Sequence, residues 1–359
     1  MKKNYKAEDY IYSCARVRTL ENSIVGAERC ARLAETKTAA EFFRALEEHG
    51  IRLEAKPTEA MPHVSEVAVL AELENVLTGM LSGAFSAVAG MAPQPELFNF
   101  LRYPYDCHNI KAVLKSSLRG TEPERLLFPF GSISAGDAVA IASQRDFSLA
   151  EKLLPPNMAA ALAEAAELYS KTGDPQFIDV TLDKACFADM AETSKSFGCE
   201  FFVSLVETKI DLANLLLAIR LLRMRGVSIS FDLYRRMSLR AARLSEEFFA
   251  PAFDVEAGNA FEREQLLVAQ LKNTQYESLS EMLGSAQGYP PLSFIEKQCD
   301  DYFMQLVRSA QGVLYGPEPL GAYIIAREYE TRNLRILAAG KLAGQLSGTI
   351  KERLRASYV

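Results

Sequence analysis

Three places in the chain set an acid three residues ahead of an asparagine within a shared apolar frame: Asp106 and Asn109, Asp211 and Asn214, Glu330 and Asn333. On a helix that spacing puts carboxylate and amide one turn apart on one face. Three such pairs could hold three ligands, although a lone amide and carboxylate define no bond-making chemistry. A structural reading competes with the functional one. Asn is a poor residue in a helix interior because its amide competes with the backbone. Its recurrence in an apolar surround predicts a buried amide with fixed partners, such as a neighbouring helix terminus, used as a packing device once per domain.

The surround is part of the pattern. Four residues before each Asn stands Tyr105, Ile210 or Tyr329, and just after it Ile110, Leu215 or Leu334. Four residues after it stands Val113, Ala218 or Leu337, and apolar pairs lie upstream at Phe100–Leu101, Leu205–Val206 and Ile324–Ile325. Asn75, Asn99 and Asn259 also follow a Glu by three residues, but none has the apolar pair.

Other chemistry is scarce. The sequence has no phosphate-binding G-x-x-x-x-G-K-[ST], no H-E-x-x-H, no G-x-G-x-x-G and no G-x-S-x-G. Its three His (His49, His63, His108) are scattered. Cys107 and His108 are adjacent, so on a helix they point about 100° apart and make no nucleophile–base pair. The six Cys (Cys14, Cys30, Cys107, Cys186, Cys199, Cys299) form no C-x-x-C, which argues for reduced buried thiols rather than a zinc site or disulfide scaffold. The acid pairs Glu47–Glu48, Glu246–Glu247 and Asp300–Asp301 read as solvated faces. No catalytic residue, cofactor or metal is expected.

The elements that carry these residues are helices. With 359 residues, 49% apolar and 24% charged, the chain is globular and long enough for two or three domains. Apolar residues recur at helical spacing in 65–81 and 262–283. The alternating VSISFDLY (227–234) reads as a turn entering a helix, with Ser228 and Ser230 as N-cap types. Short Pro/Gly clusters punctuate the chain, at 91–97, 128–132, 154–157, 288–293 and 315–321. The N-terminus has no apolar leader, and the stretch LANLLLAIRLL (212–222) is too short to span a bilayer, which takes ~20 residues.

The repeats extend beyond the asparagines. LDKACF (182–187) upstream of the second resembles IEKQCDDYF (295–303) upstream of the third. FGSISAGDAVAIA and RGVSISFDLYRRM follow the first two as a turn and a further helix. Segment 10–60 has the look of the half that the third copy lacks. The expected architecture is all-α, with three similar helical-bundle domains at 61–170, 171–280, and 281–359 with 1–60, closed in a pseudo-threefold, funnel-like arrangement.

Charge is uneven. Net charge is −6, which disfavours nucleic acid as a partner of the whole chain. Yet between Lys209 and Arg243 eight basic residues face two acids. Arg220, Arg223, Arg225, Arg235, Arg236 and Arg240 are the candidate docking residues of this run, for an acidic protein or a lipid headgroup zone. Aromatic residues are not interleaved with them, as a nucleic-acid platform would require.

LRYPYDCHNIKAVLKSSLRG (101–120) resembles the aromatic-Asp-x-x-Asn-x-Lys block of the C-subunit family of V-type and A-type ATP synthases, homologous to the eukaryotic d-type proteins. The C-terminal EPLGAYIIAREYETRNLRILAAGKLAGQLSGTIKERLRASYV and the opening YIYSCARVRTLE are similar to that family too. Departures are small: Pro104 lies in the first block, and Leu216 stands where the middle repeat would carry Lys. The resemblance implies an all-helical, funnel-shaped, non-catalytic component on the cytoplasmic side of the membrane. Its implied partners are the D and F proteins of the central shaft and the membrane rotor ring, with membrane association only through the ring. A helical-repeat adaptor of unrelated partnership, or an enzyme with dispersed carboxylates, are the alternatives. If the basic run docks shaft or ring, charge reversal at Arg235 and Arg236 weakens assembly in a pull-down; unchanged binding removes that pair as docking residues.

Overall fold

Helix boundaries follow from local side chains. Ser65, Thr38, Asp146 and Ser230 each accept the backbone N–H three residues on and start a helix. Asn259 and Glu262 form a reciprocal capping box. Pro104, Pro156 and Pro319 sit in first turns, where a missing N–H costs nothing. Gly120 and Gly173 close two helices with left-handed φ of 65° and 69°.

A computed structural model of the chain describes residues 4–58, 61, 64–123, 126–143, 146–224, 229–254, 258–285 and 288–359. In chain order the helices are α1 (Ile11–Glu21), α2 (Ala27–Glu35), α3 (Ala39–Glu47), α4 (Glu66–Met91), α5 (Tyr103–Arg119) and α6 (Ala135–Ser143). They continue as α7 (Phe147–Leu153), α8 (Pro156–Thr172), α9 (Gln176–Phe197), α10 (Glu200–Arg223), α11 (Phe231–Met237) and α12 (Glu246–Phe249). The last are α13 (Ala260–Gln270), α14 (Glu277–Gly284), α15 (Leu292–Arg308), α16 (Glu318–Leu342) and α17 (Ser347–Arg353). Among the described residues there is no strand, so the fold class is all-α.

The chain divides into two compact units: one of Met1–Tyr5 with Glu96–Cys299, the other of Lys6–Pro95 with Asp300–Val359. In the first, α9 packs against α5, α8 and α10, and Phe98, Phe100, Phe197 and Phe202 meet mostly edge to face. In the second, α16 runs through the core, packed by α1, α2, α3 and α4. Leu334, Leu337 and Ala338 of α16 join Leu33, Phe42, Phe43, Leu46, Leu73 and Leu77 in one apolar cluster.

One local expectation needs correction. The run 262–283 is not one helix: Thr274 donates to the Leu271 carbonyl and accepts from Tyr276 N–H, breaking it into α13, a short 3-10 turn and α14. Of VSISFDLY, Ser230 caps α11, while Val227 and Ser228 lie outside the described residues. Among the described residues one helix, α4, is long and apolar enough to cross a bilayer by length and composition only. Its Val69, Leu73, Leu77, Leu81 and Phe85 are buried.

Two glycines should respond oppositely to a methyl group. A Cβ on Gly26 would stand 2.5 Å from the Val359 carbonyl oxygen, which is backbone and cannot swing away. Gly83, on the outer face of α4, has no atom within 4 Å of that position. Thermal denaturation should show Gly26→Ala destabilised by about 1–3 kcal/mol and Gly83→Ala stabilised by about 0.5–1 kcal/mol.

Candidate functional site

Each of the three asparagines takes hold of the backbone of one later residue by both of its polar groups. On α5, Asn109 Nδ2 donates to the Phe128 carbonyl at 2.9 Å, and Phe128 N–H donates back to Oδ1 at 2.8 Å. On α10, Asn214 makes the same two bonds with Leu239, at 2.9 and 2.8 Å. On α16, Asn333 makes them with Arg355, again at 2.9 and 2.8 Å. A side-chain amide has one donor edge and one acceptor edge, so it can stand in for a peptide group facing another peptide.

The clasped residue lies where a segment must leave helical geometry. Leu239 and Arg355 are each two residues past a seven-residue helix, α11 or α17. The residues between, Ser238 and Leu354, have φ −63° with ψ 145° and 138°, an extended turn-out. That leaves a main-chain N–H and C=O without helical partners, and the amide supplies both. All three asparagines are almost wholly buried.

The acids hold the same segments farther along. Asp106 accepts from Ser132 N–H at 2.8 Å, its hydroxyl at 2.5 Å, and Ile133 N–H at 3.2 Å. Asp211 accepts from Leu244 N–H at 3.0 Å and from the Tyr276 hydroxyl. Ile133 and Leu244 each lie five residues past the clasped residue and two ahead of the next helix, α6 or α12. The third copy reaches the same arrangement with a different stretch of chain. Glu330 accepts at 2.6 Å from Val25 N–H, two residues ahead of α2, and Ala27 N–H donates to the Val359 carbonyl at 3.0 Å. This geometry corrects one alignment: FGSIS (130–134) matches Ala241–Ser245 and not RGVSIS, because α11 precedes the clasped residue.

Burial pushes the carboxyl pKa of Asp106, Asp211 and Glu330 up from the ordinary range. Opposing hydrogen bonds hold it down, from Ser132 and Ile133 on Asp106 and from Tyr276 and Leu244 on Asp211. Arg327, at 2.6 Å, does so for Glu330. The arrangement fastens backbone.

The six arginines separate. Arg223 forms a two-bond pair with the buried Glu264 at 2.9 and 2.6 Å and lies over the Tyr289 ring, so it is part of the packing. Arg220 meets Glu296 at 2.7 Å. On the surface, Arg235 meets Glu246 at 3.1 Å and Arg236 meets Asp232 at 3.3 Å. Arg240 is exposed, and Arg225 lies outside the described residues, as does His63. All six cysteines are buried free thiols.

One acid pair departs from the solvated face expected of it. Asp301 accepts from Ala356 N–H at 2.6 Å, and Asp300 binds Arg332 at 2.8 Å, Arg355 at 2.9 Å and the Tyr329 hydroxyl at 3.1 Å. They secure the segment that Asn333 clasps. Asp189 does similar work without belonging to any sequence pattern. It accepts Asn157 and Met158 N–H at the start of α8, whose own cap position is Pro155.

Truncation of a clasp leaves one backbone donor and one acceptor half-buried and unmet. Asn109→Ala, Asn214→Ala and Asn333→Ala should each lose about 2 kcal/mol in urea denaturation, whereas an asparagine used only for ligand contact would lose almost nothing. The acids give a pH signature. With its folded pKa raised, Asp211 adds stability below its unfolded pKa of about 3.9, and that contribution is lost as pH rises through the folded value. The stability of wild type relative to Asp211→Asn should therefore fall as pH rises above the unfolded value; a constant difference would count against the burial cost.

A family model described as ATP synthase (C/AC39) subunit matches residues 13–353. The C subunit of the V-type sodium ATPase of Enterococcus hirae is 24% identical over 287 residues, covering 80% of this chain and 83% of its own length. The C subunit of the A-type ATP synthase of Methanosphaera stadtmanae is 23% identical over 362 residues, covering 96% and 87%. That of Thermococcus kodakarensis is 24% identical over 348 residues, covering 95% and 88%. With all three clasping asparagines inside a match that runs almost end to end, the chain belongs to the ATP synthase (C/AC39) subunit family.

Proposed function

We propose that this chain is the non-catalytic central-stalk socket of a V/A-type rotary ATPase. In this reading it couples a shaft of the D and F proteins to the membrane rotor ring, on the cytoplasmic side. It carries torque between ATP turnover and proton or sodium passage and makes no bonds itself. The observation that carries the reading is the family match over residues 13–353. The clasps supply a mechanical reason for it. A torque-bearing body must resist sliding of one segment along another. Apolar packing alone is non-directional, whereas a paired amide loses both hydrogen bonds on a shift of about 1 Å, beyond their narrow distance range. We further propose three similar units, 61–170, 171–280, and 281–359 with 1–60, one clasp each, arranged about a pseudo-threefold axis.

Co-expression with the D and F proteins, followed by addition of detergent-solubilised rotor ring, tests this reading. The expected result is co-elution of all components, with ion pumping that depends on this chain. Retention of neither shaft nor ring, with capture of an unrelated helical partner, would favour the adaptor alternative.

A further inference from the structure

We propose that the loop of the second clasp, which presents Arg240 beside Lys184, is a docking surface for an acidic polypeptide segment. The proposal rests on the socket reading and adds where and by what chemistry a partner is held.

The surrounding arginines are already matched. Arg235 has Glu246, Arg236 has Asp232, and Arg243 has Glu207 at 2.6 Å. Among the described residues neither Lys184 nor Arg240 has a carboxylate within ion-pair distance. Lys184 reaches across from α9 and donates to the Arg236 carbonyl at the end of α11, which fixes its ammonium next to the loop. Burial and the positive field of Arg240 both push the Lys184 pKa down, while Glu246 and Glu164 only partly offset them. Two cations in one another's field, neither of them in an ion pair among the described residues, favour an incoming carboxylate.

The loop backbone points the same way. Ala241, next to Arg240, has φ 65°, and among the described residues it alone is a non-glycine with positive φ. The corresponding positions of the other clasps, Phe130 and Ser357, do not adopt it. A residue with a Cβ avoids this region unless the surroundings impose it. Here Asn214 and Asp211 hold the loop at both ends, at Leu239 and Leu244, and the exposed arginine stands between.

An acidic protein segment fits better than a lipid surface. Asp232, Glu246 and Glu164 are interspersed with the cations, so an extended anionic plane would meet repulsion that a single placed carboxylate avoids. None of the exposed large apolar side chains lies on this loop to anchor in a bilayer.

The test uses the full chain against two probes, the D–F shaft heterodimer and the solubilised ring, with phosphatidylserine vesicles as a third. Arg240→Glu and Lys184→Glu should each weaken binding of shaft or ring at least tenfold and flatten its salt dependence. A reversed acid on that partner should restore affinity to Arg240→Glu. Ala241→Gly, which accepts the same φ, reports whether the loop conformation itself matters and should keep binding. Wild-type affinity in both reversals, with wild type binding shaft and ring normally, overturns this surface and leaves the socket reading standing. Loss of vesicle binding alone also overturns it, in favour of lipid. Wild type binding neither protein probe sinks the socket reading instead.

Discussion

A side-chain amide facing a main-chain peptide group is the interaction on which the three recurring segments depend. Within each long helix that carries it, α5, α10 or α16, the main-chain groups of the interior bond to one another. What needs help is the later segment, which leaves a helix or turn and runs extended over the core before the next helix begins. Extended backbone against an apolar surface would leave an N–H and a C=O unmet. Asn meets both without introducing charge, so the buried site carries no ionisation cost. The near-identical distances at Phe128, Leu239 and Arg355 reflect a geometric requirement that packing of apolar groups could not impose.

The acids one turn earlier follow a different physics. They accept several hydrogen bonds each, but in a place that penalises their charge, and burial outweighs the donors in setting their proton affinity. Their use is positional: they seat the residue two ahead of a helix start, so that the next helix begins at a fixed distance from the clasp. In the first two copies the pair thus measures out chain length. Where Glu replaces Asp, in the third copy, Arg327 lies against the carboxylate and the reach is longer.

Much of this is legible in the sequence. The asparagines stand out because a poor helix former recurs with an acid and an apolar frame, and the all-helical class follows from periodicity. The partner of each amide cannot be read, because it is a backbone group: Phe128, Leu239 and Arg355 share no side-chain property. For the same reason the downstream alignment slips at RGVSIS, where an attractive Ser pattern outranks a spacing that only hydrogen bonds reveal. Asp300 and Asp301 look solvated since adjacent acids usually are, and their buried partners come from elements 29 to 55 residues away. Arg223 illustrates the opposite limit: a basic run in sequence dissolves into individual roles once Arg220, Arg223, Arg235 and Arg236 each meet a carboxylate of their own.

The third copy has a consequence for biosynthesis. Val25 waits for Glu330, a partner 305 residues later in the chain. At roughly 5–20 residues per second on the ribosome, that is a delay of about 15–60 s. During it, Phe42, Phe43 and Leu46 have no α16 to cover them, although the residues of the first two clasps have already emerged in full. The first two segments can close vectorially as they are made, whereas the last closes only by reunion of early and late chain.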